Sequence, residues 1–337
     1  LRELMISKRY PLPPNIIGVT AHEELFENVK TVFDDQLLWL IKYEVGSDTW
    51  SLALKNRVEY ILNTKRVNVS AKDSTQYSVD IAVICALEKI ELEGIRMISQ
   101  DWSHLHVPQD ENSNYYSSII KGENRDFRIV SAAAPQMGMT AATALSMKLI
   151  QLFRPRYLVM TGIAAGIRGK VNLGDILVSD QTWDYGSGKY ITENKERVFK
   201  PDPYPIRLKP KVRAKIELLA NDSHALEEIR RLWPGEKPDT PLAVHIGPVA
   251  SGAAVLSSSS IVSDILDQNR KLIGIDMENY GVYFAGENSP NPQPTVISLK
   301  SVVDFADEEK HDKVQKYAGY TSAAVLKLLT KYLDFSD

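Results

Sequence analysis

Three short carboxylate-bearing segments each follow an apolar run rich in β-branched residues, and they are the places in this sequence best suited to acid–base chemistry. ALEKIELEG, with Glu88, Glu91 and Glu93, follows VDIAVIC; MENYG, with Glu278, follows KLIGID; DFAD, with Asp304 and Asp307, follows TVISLKSVV. Ligands of open α/β sheets sit at the carboxyl ends of the strands, so a carboxylate placed there faces a substrate. Desolvation beside an apolar run favours the protonated carboxyl, and two such groups in different surroundings can divide the roles of general acid and general base. Small residues recur at the same strand ends: Gly138 in APQMGMTAA, Gly162 and Ala164 in TGIAAGIRG, and the SGAAVL stretch that holds Val255 and Leu256. With little or no side chain they let a ligand approach the backbone. Two cations stand nearby, Arg168 in GIRG and Lys300 in SLKS, and both could hold phosphate groups.

Other chemistries find less support. Cys85 is the single cysteine of the 337 residues and lies inside VDIAVIC, where it reads as a small buried residue. That excludes an intrachain disulfide and a cysteine zinc cluster. The six histidines, His104 and His106 among them, lack a convincing set of partner ligands, so neither a metal nor a cofactor is expected. A formal net charge of -3 provides no basic field for a nucleic acid. No apolar run approaches the roughly 18–20 residues of a membrane-spanning helix. A cytoplasmic, reducing location fits this usage.

The elements that must position these residues alternate. VDIAVIC, FRIVSAA, YLVMTGI, DILVSD, LAVHIGPVAS, KLIGIDM and TVISLKSVV read as strands, and helical spacing is predicted over 90–99, 139–153, 211–221, 261–268, 279–286 and 313–333. This order predicts an α/β domain over 79–337, with a mixed, mostly parallel sheet covered by helices. Polar insertions at 103–125, 183–208 and 286–294 interrupt it and read as binding loops.

MTGIAAGIRGKVNLGDILVSD, GIDMENYGV and SVVDFADEEKH, in this order and spacing, resemble the motifs of the nucleoside phosphorylase and nucleosidase superfamily. That superfamily includes purine nucleoside phosphorylases, AMP nucleosidases and methylthioadenosine/S-adenosylhomocysteine nucleosidases. The resemblance covers residues 79–333 and implies cleavage of a purine N-glycosidic bond. It assigns Asp304 to purine N7, Glu278 to the ribose hydroxyls and Met277 to packing on the sugar. In the nucleosidase branch a Glu after the first strand activates water, usually separated by two residues from an Ala-Leu or Ala-Met pair. Here Ile90 stands at that position, so a one-residue insertion makes Glu91 the candidate, with Glu88 second. Phosphorolysis would need cations in the loops ICALEKIE and AAAPQMGMT; Lys89 is a poor substitute and the second loop has none, so hydrolysis is favoured. SGAAVL resembles the segment that reads adenine, with Val255 where an aromatic is common and Leu256 offering backbone contacts. The superfamily also implies an oligomer, at least a dimer.

Residues 1–66 read as a smaller module, helix–strand–helix–strand–helix, joined by a Ser/Thr-rich linker over 67–78. It resembles the last part of a flavodoxin-like response-regulator receiver domain, with Thr20 and Lys42 at the ends of the two strands and Tyr43 where a Pro is usual. The acceptor Asp would lie upstream of Leu1, and the opening LRELMISKRY reads as the second half of a helix in a longer protein. The pairing resembles phosphorelay anti-phage effectors of the Detocs type. It implies an upstream histidine kinase or phosphotransfer protein as partner. The implied substrate is a purine nucleotide, ATP foremost, split into adenine and ribose-5-triphosphate. A nucleoside phosphorylase, a methylthioadenosine/S-adenosylhomocysteine or AMP nucleosidase, and a non-catalytic nucleotide sensor are the alternatives.

Overall fold

A computed structural model describes residues 17–24, 26–27, 30, 39–59, 76–123, 125–254, 259–306 and 314–335. The chain divides into two compact units, Leu1–Thr75 and Gln76–Asp337. In the first, β1 (Ile17–Thr20) and β2 (Trp39–Lys42) pair in parallel, with Thr20 directly opposite Lys42. A helix follows over residues 49–59, and Ser47 Oγ accepts from the Thr49 amide at its start. The helix expected at the start of the chain and most of the expected linker lie outside the described residues. Tyr77 and Ser78, the last two residues of that linker, belong to the second unit. The Tyr77 hydroxyl donates to Gln293 O at 2.9 Å, and the Ser78 amide donates to Arg154 O at 2.9 Å.

The second unit is built on a ten-stranded mixed sheet. Its strands are β3 (Val79–Cys85), β4 (Ser103–Leu105), β5 (Tyr115–Ile120), β6 (Phe127–Ala133), β7 (Pro155–Gly166), β8 (Ile176–Asp184), β11 (Ile206–Arg207), β12 (Val244–Ser251), β13 (Gly274–Asp276) and β14 (Thr295–Asp304). The order is β11-β8-β12-β13-β7-β3-β6-β5-β4, and β14 pairs with both β7 and β8. Strands β8, β12, β13, β7 and β14 therefore close into a ring. Pairing is parallel for β6-β3, β3-β7, β7-β14, β8-β12 and β12-β13 and antiparallel elsewhere.

The alternation along β3 shows how the two faces are covered. Ile81, Val83 and Cys85 join a core with Val325, Leu326 and Leu329 of the helix Gln315–Leu329. Ala82 and Ile84 point the other way, onto Ala142, Leu145 and Leu149 of the helix Met139–Phe153 and Val282 of the helix Asn279–Glu287. Successive side chains on opposite faces are what a strand buried between two helix layers requires.

Two insertions expected to be loops contain strands. Residues 103–125 supply β4 and β5, which extend the sheet edge. Residues 183–208 carry the separate antiparallel hairpin β9 (Gly188–Glu193) and β10 (Glu196–Pro201). The hairpin has no buried face, so its sequence shows no apolar alternation, and Asn194 and Lys195 at its turn take positive φ. A helix over Ser223–Leu232 is an addition to the expected elements, started by Asp222 Oδ1 accepting from the Ala225 amide at 3.0 Å.

Candidate active site

A cleft of about 140 Å³ opens where β3, β7, β13 and β14 end, and Glu91, Asp276, Met277, Glu278, Asp304 and Ala164 line it. Val255 and Leu256 lie outside the described residues; Ala254, just before them, is on the cleft wall.

The chain leaves β3 into a wide turn, Glu88–Leu92, in which the Leu92 amide reaches back five residues to Leu87 O at 3.1 Å. Such a π turn holds one residue more than an α turn, and it brings Glu91 round to the strand end. Glu88 and Lys89 stay exposed on it, while Glu91 is 1% exposed. The Glu91 carboxylate folds back over the strand end. Its Oε2 accepts from the amides of Ala86 at 2.5 Å and Leu87 at 3.0 Å, and its Oε1 accepts from the Ile163 amide of β7 at 2.9 Å. Ionised carboxylates offer about four lone-pair sites, so capacity for a water molecule remains. Gly162 takes φ +145°, and a Cβ there would overlap this carboxylate. Below the turn, Gly94 and Gly319 let it settle directly on the last helix: a Cβ on Gly94 would strike Gly319 O, and one on Gly319 would strike Ile90 O. Glu88 instead faces a neighbouring recess with Asn112, Ser113 and Tyr116.

Lys300 lies mid-strand in β14 and is fully buried. Its ammonium donates to Glu278 Oε2 at 3.3 Å and stands 3.7 Å from Glu91 Oε1 and 4.0 Å from Asp276 Oδ2. Burial alone would push this lysine down; the three carboxylates outweigh it and hold the ammonium above its usual range. Glu278 Oε1 accepts from the Gly138 amide at 3.0 Å, so Gly138 serves to orient a carboxylate. Asp276 accepts from Ser251 Oγ at 2.7 Å and from the Asn279 amide at 2.9 Å. Burial pushes Asp276 up to about 6; Lys300 draws it down and Glu278 pushes it further up.

Asp304 closes β14 after a register shift between Val302 and Asp304 against β7. The bulge re-aims the side chain toward the cleft, as bulges beside active sites commonly do. Its Oδ1 accepts from the Ala306 amide at 2.9 Å in the tight turn that follows, where Ala306 has φ +55°.

Neither of the two cations expected to hold phosphates lines the cleft. Lys300 is committed to the buried carboxylates because β14 runs through the core of the unit. Arg168 is exposed, with its guanidinium 4.5 Å from the Phe305 ring centre, and it is not on the cleft wall. Among the described residues no Lys or Arg lines the cleft. Asp276 and Ser251 were not singled out from sequence. A carboxylate at the end of KLIGID was the available signal for Asp276; the serine had none. Among the described residues no group of three or more His, Cys, Asp or Glu could hold a metal ion, and no helix is long and apolar enough to cross a membrane.

Comparisons with known proteins bear on the family and the fold. The protein y4jS of Sinorhizobium fredii is 34% identical over 93% of this chain and 77% of its own length. ATP nucleosidase Cap17 of Escherichia coli is 23% identical over 63% of this chain, which spans only 43% of that protein. Among solved structures, methylthioadenosine/S-adenosylhomocysteine nucleosidase of Helicobacter pylori shares the fold, with a TM-score of 0.59 at 18% identity over 77% of this chain and 100% of the other. The fold is thus α/β and nucleoside phosphorylase-like. Residues 80–333 match the Phosphorylase superfamily, and the chain belongs to that family.

Proposed function

We propose that the second unit hydrolyses the N-glycosidic bond of an adenine nucleotide, ATP, to adenine and ribose-5-triphosphate. The observation that carries the reaction class is the convergence of Glu91, Glu278 and Asp304 on one cleft at the strand ends. In this reading Glu91 takes a proton from water as the oxygen adds to C1′. The C1′–N9 bond breaks, its electron pair stays with adenine, and Asp304 delivers a proton to purine N7. Glu278, with one oxygen on Gly138 and the other on Lys300, accepts from the ribose hydroxyls, and Met277 packs on the sugar. Val255 and Leu256 would meet the base. The likeness to Cap17 supports ATP as the substrate.

The first unit would act as the end of a receiver domain, answering an upstream histidine kinase or phosphotransfer protein in anti-phage defence. Thr20 and Lys42 are register partners at adjacent strand ends, and Lys42 is held by Glu23 at 2.5 Å and Glu44 at 3.5 Å. A phosphoryl group would compete for that ammonium. A homo-oligomer, at least a dimer, is part of the same reading.

A second reading has its own observation. The described cleft wall carries no Lys or Arg, which suits a nucleoside with an uncharged 5′ group, such as methylthioadenosine. Chromatography of ATP and of methylthioadenosine incubated with the full-length protein in phosphate-free buffer separates the two. Adenine from ATP supports the first reading; adenine from methylthioadenosine alone supports the second. A phosphate requirement overturns hydrolysis, and full biological effect in Glu91→Gln would point to a nucleotide sensor. Stimulation by a small phosphodonor, lost in Lys42→Ala, tests the receiver.

A further inference from the structure

At the opposite end of the sheet, where β7 and β14 begin, a second cleft of about 190 Å³ is lined by Tyr157, Thr295 and a set of cations. Arg156, Lys209, Lys211 and Lys215 share its wall with one carboxylate, Asp334. Asp334 pairs with Lys211 at 2.8 Å. Among the described residues Lys209 donates to the neutral Thr295 hydroxyl, at 3.3 Å, and Arg156 stacks its guanidinium 4.8 Å from the Tyr77 ring centre. Lys215 is half-buried and has no ion-pair partner among the described residues. The helix Pro210–Ala220 begins at Lys209 without a side-chain cap, so its positive end adds to the same field.

Among the described residues the wall carries four cations and one carboxylate, and Lys209 and Lys215 meet no carboxylate; on a chain whose net charge is -3 this is a local excess that a bound anion would relieve. The volume limits the anion. Pockets for drug-sized organic ligands run to about 300–1,000 Å³, and this cleft is smaller. It suits a compact, multiply charged oxyanion, and three lysines and a guanidinium are suited to phosphate oxygens.

We propose that this cleft is a polyphosphate-binding site separate from the catalytic cleft. It takes a di- or triphosphate group, either as the free inorganic ion or as the tail of a nucleotide whose base stays in solvent. Titration calorimetry on the full chain carrying Glu91→Gln, at low ionic strength, tests it with inorganic tripolyphosphate and, separately, ATP. Tripolyphosphate is expected to bind one-to-one, weaken steeply with added salt, and lose about tenfold or more in affinity in Lys209→Ala/Lys215→Ala. A second ATP-binding event abolished by the same pair of substitutions assigns the site to nucleotide tails. Its absence, with tripolyphosphate still bound, assigns the site to the free ion. No tripolyphosphate binding, or binding that the double substitution leaves unchanged in a variant of normal melting temperature, overturns the proposal.

Discussion

The ammonium of Lys300 lies 3.3 Å from Glu278 and 3.7 Å from Glu91, so one buried cation bridges the carboxylate assigned to the sugar and the carboxylate assigned to water. Replacing it leaves buried carboxylates without a counter-charge. Breaking such a buried pair typically costs about 3–5 kcal/mol. At about 2–4 °C per kcal/mol for a unit of this size, Lys300→Met should lower the melting temperature by roughly 10 °C. Lys300→Arg, which keeps the charge, should lose much less. An unchanged melting temperature in the Met variant would mean that protons, rather than the lysine, neutralise the cluster.

Glu91→Gln changes the chemistry at constant shape. An amide nitrogen cannot accept from the Ala86, Leu87 or Ile163 amides, and it cannot take a proton from water. Adenine release should fall about 100-fold or more, in the range removed with a general base. A rate within threefold of the parent would exclude Glu91 as the base.

Asp304→Asn should separate activity from stability. Among the described residues its hydrogen-bond partner is the Ala306 amide, and an Asn oxygen keeps that bond. The melting temperature should stay within about 2 °C, as for a change of around 0.5 kcal/mol. If Asp304 is the proton donor proposed above, turnover should drop by about two orders of magnitude.

Gly162→Ala and Gly169→Ala make a matched pair. Both glycines have positive φ, but a Cβ at Gly169 meets nothing within 4 Å, whereas one at Gly162 runs into the Glu91 carboxylate. The Gly169 variant should show only the cost of left-handed backbone, about 1 kcal/mol. The Gly162 variant should be less stable still and nearly inactive. Equal melting temperatures and equal activities would show that Glu91 is free to move aside.

Asp276 gives the cluster a pH signature. Its folded value of about 6 is raised above the ordinary 3.8, so the folded state binds more protons between those values. The stability it contributes is present in full below about pH 4 and is lost as pH rises through 6. Melting temperatures of Asp276→Asn and the parent should therefore shift in favour of Asn as pH climbs from 4 to 7. A constant difference across that window would show that Asp276 is not protonated there.

Much of this arrangement was legible because it is written in local patterns. The strand VDIAVIC and the helix Met139–Phe153 carry periodic apolar spacing, and both form with the bounds read from it. Glu278 and Asp304 stand where apolar runs end, so their strand-end positions could be read before any contact was known. The β9–β10 hairpin was invisible because solvent on both faces removes the alternation that marks a strand. The partners of Lys300 were hidden for a different reason. Its neighbours in sequence say that β14 is apolar, but only the sheet order brings Glu91 from one segment, and Asp276 and Glu278 from another, to its ammonium. Long-range neutralisation has no signature in one segment's sequence.

The wide turn after β3 also has a consequence for how relatives should be compared. Three backbone amides at the mouth of the strand, two of them belonging to Ala86 and Leu87, grip the Glu91 carboxylate wherever the intervening chain delivers it. The span between strand and carboxylate can then gain a residue by bulging, with the slack taken up against the two glycines beneath it. Matching such proteins by a fixed spacing after Ala86 and Leu87 would set Ile90 at the position of the relatives' Glu and miss Glu91. Superposing them on the amides that hold the carboxylate would recover it.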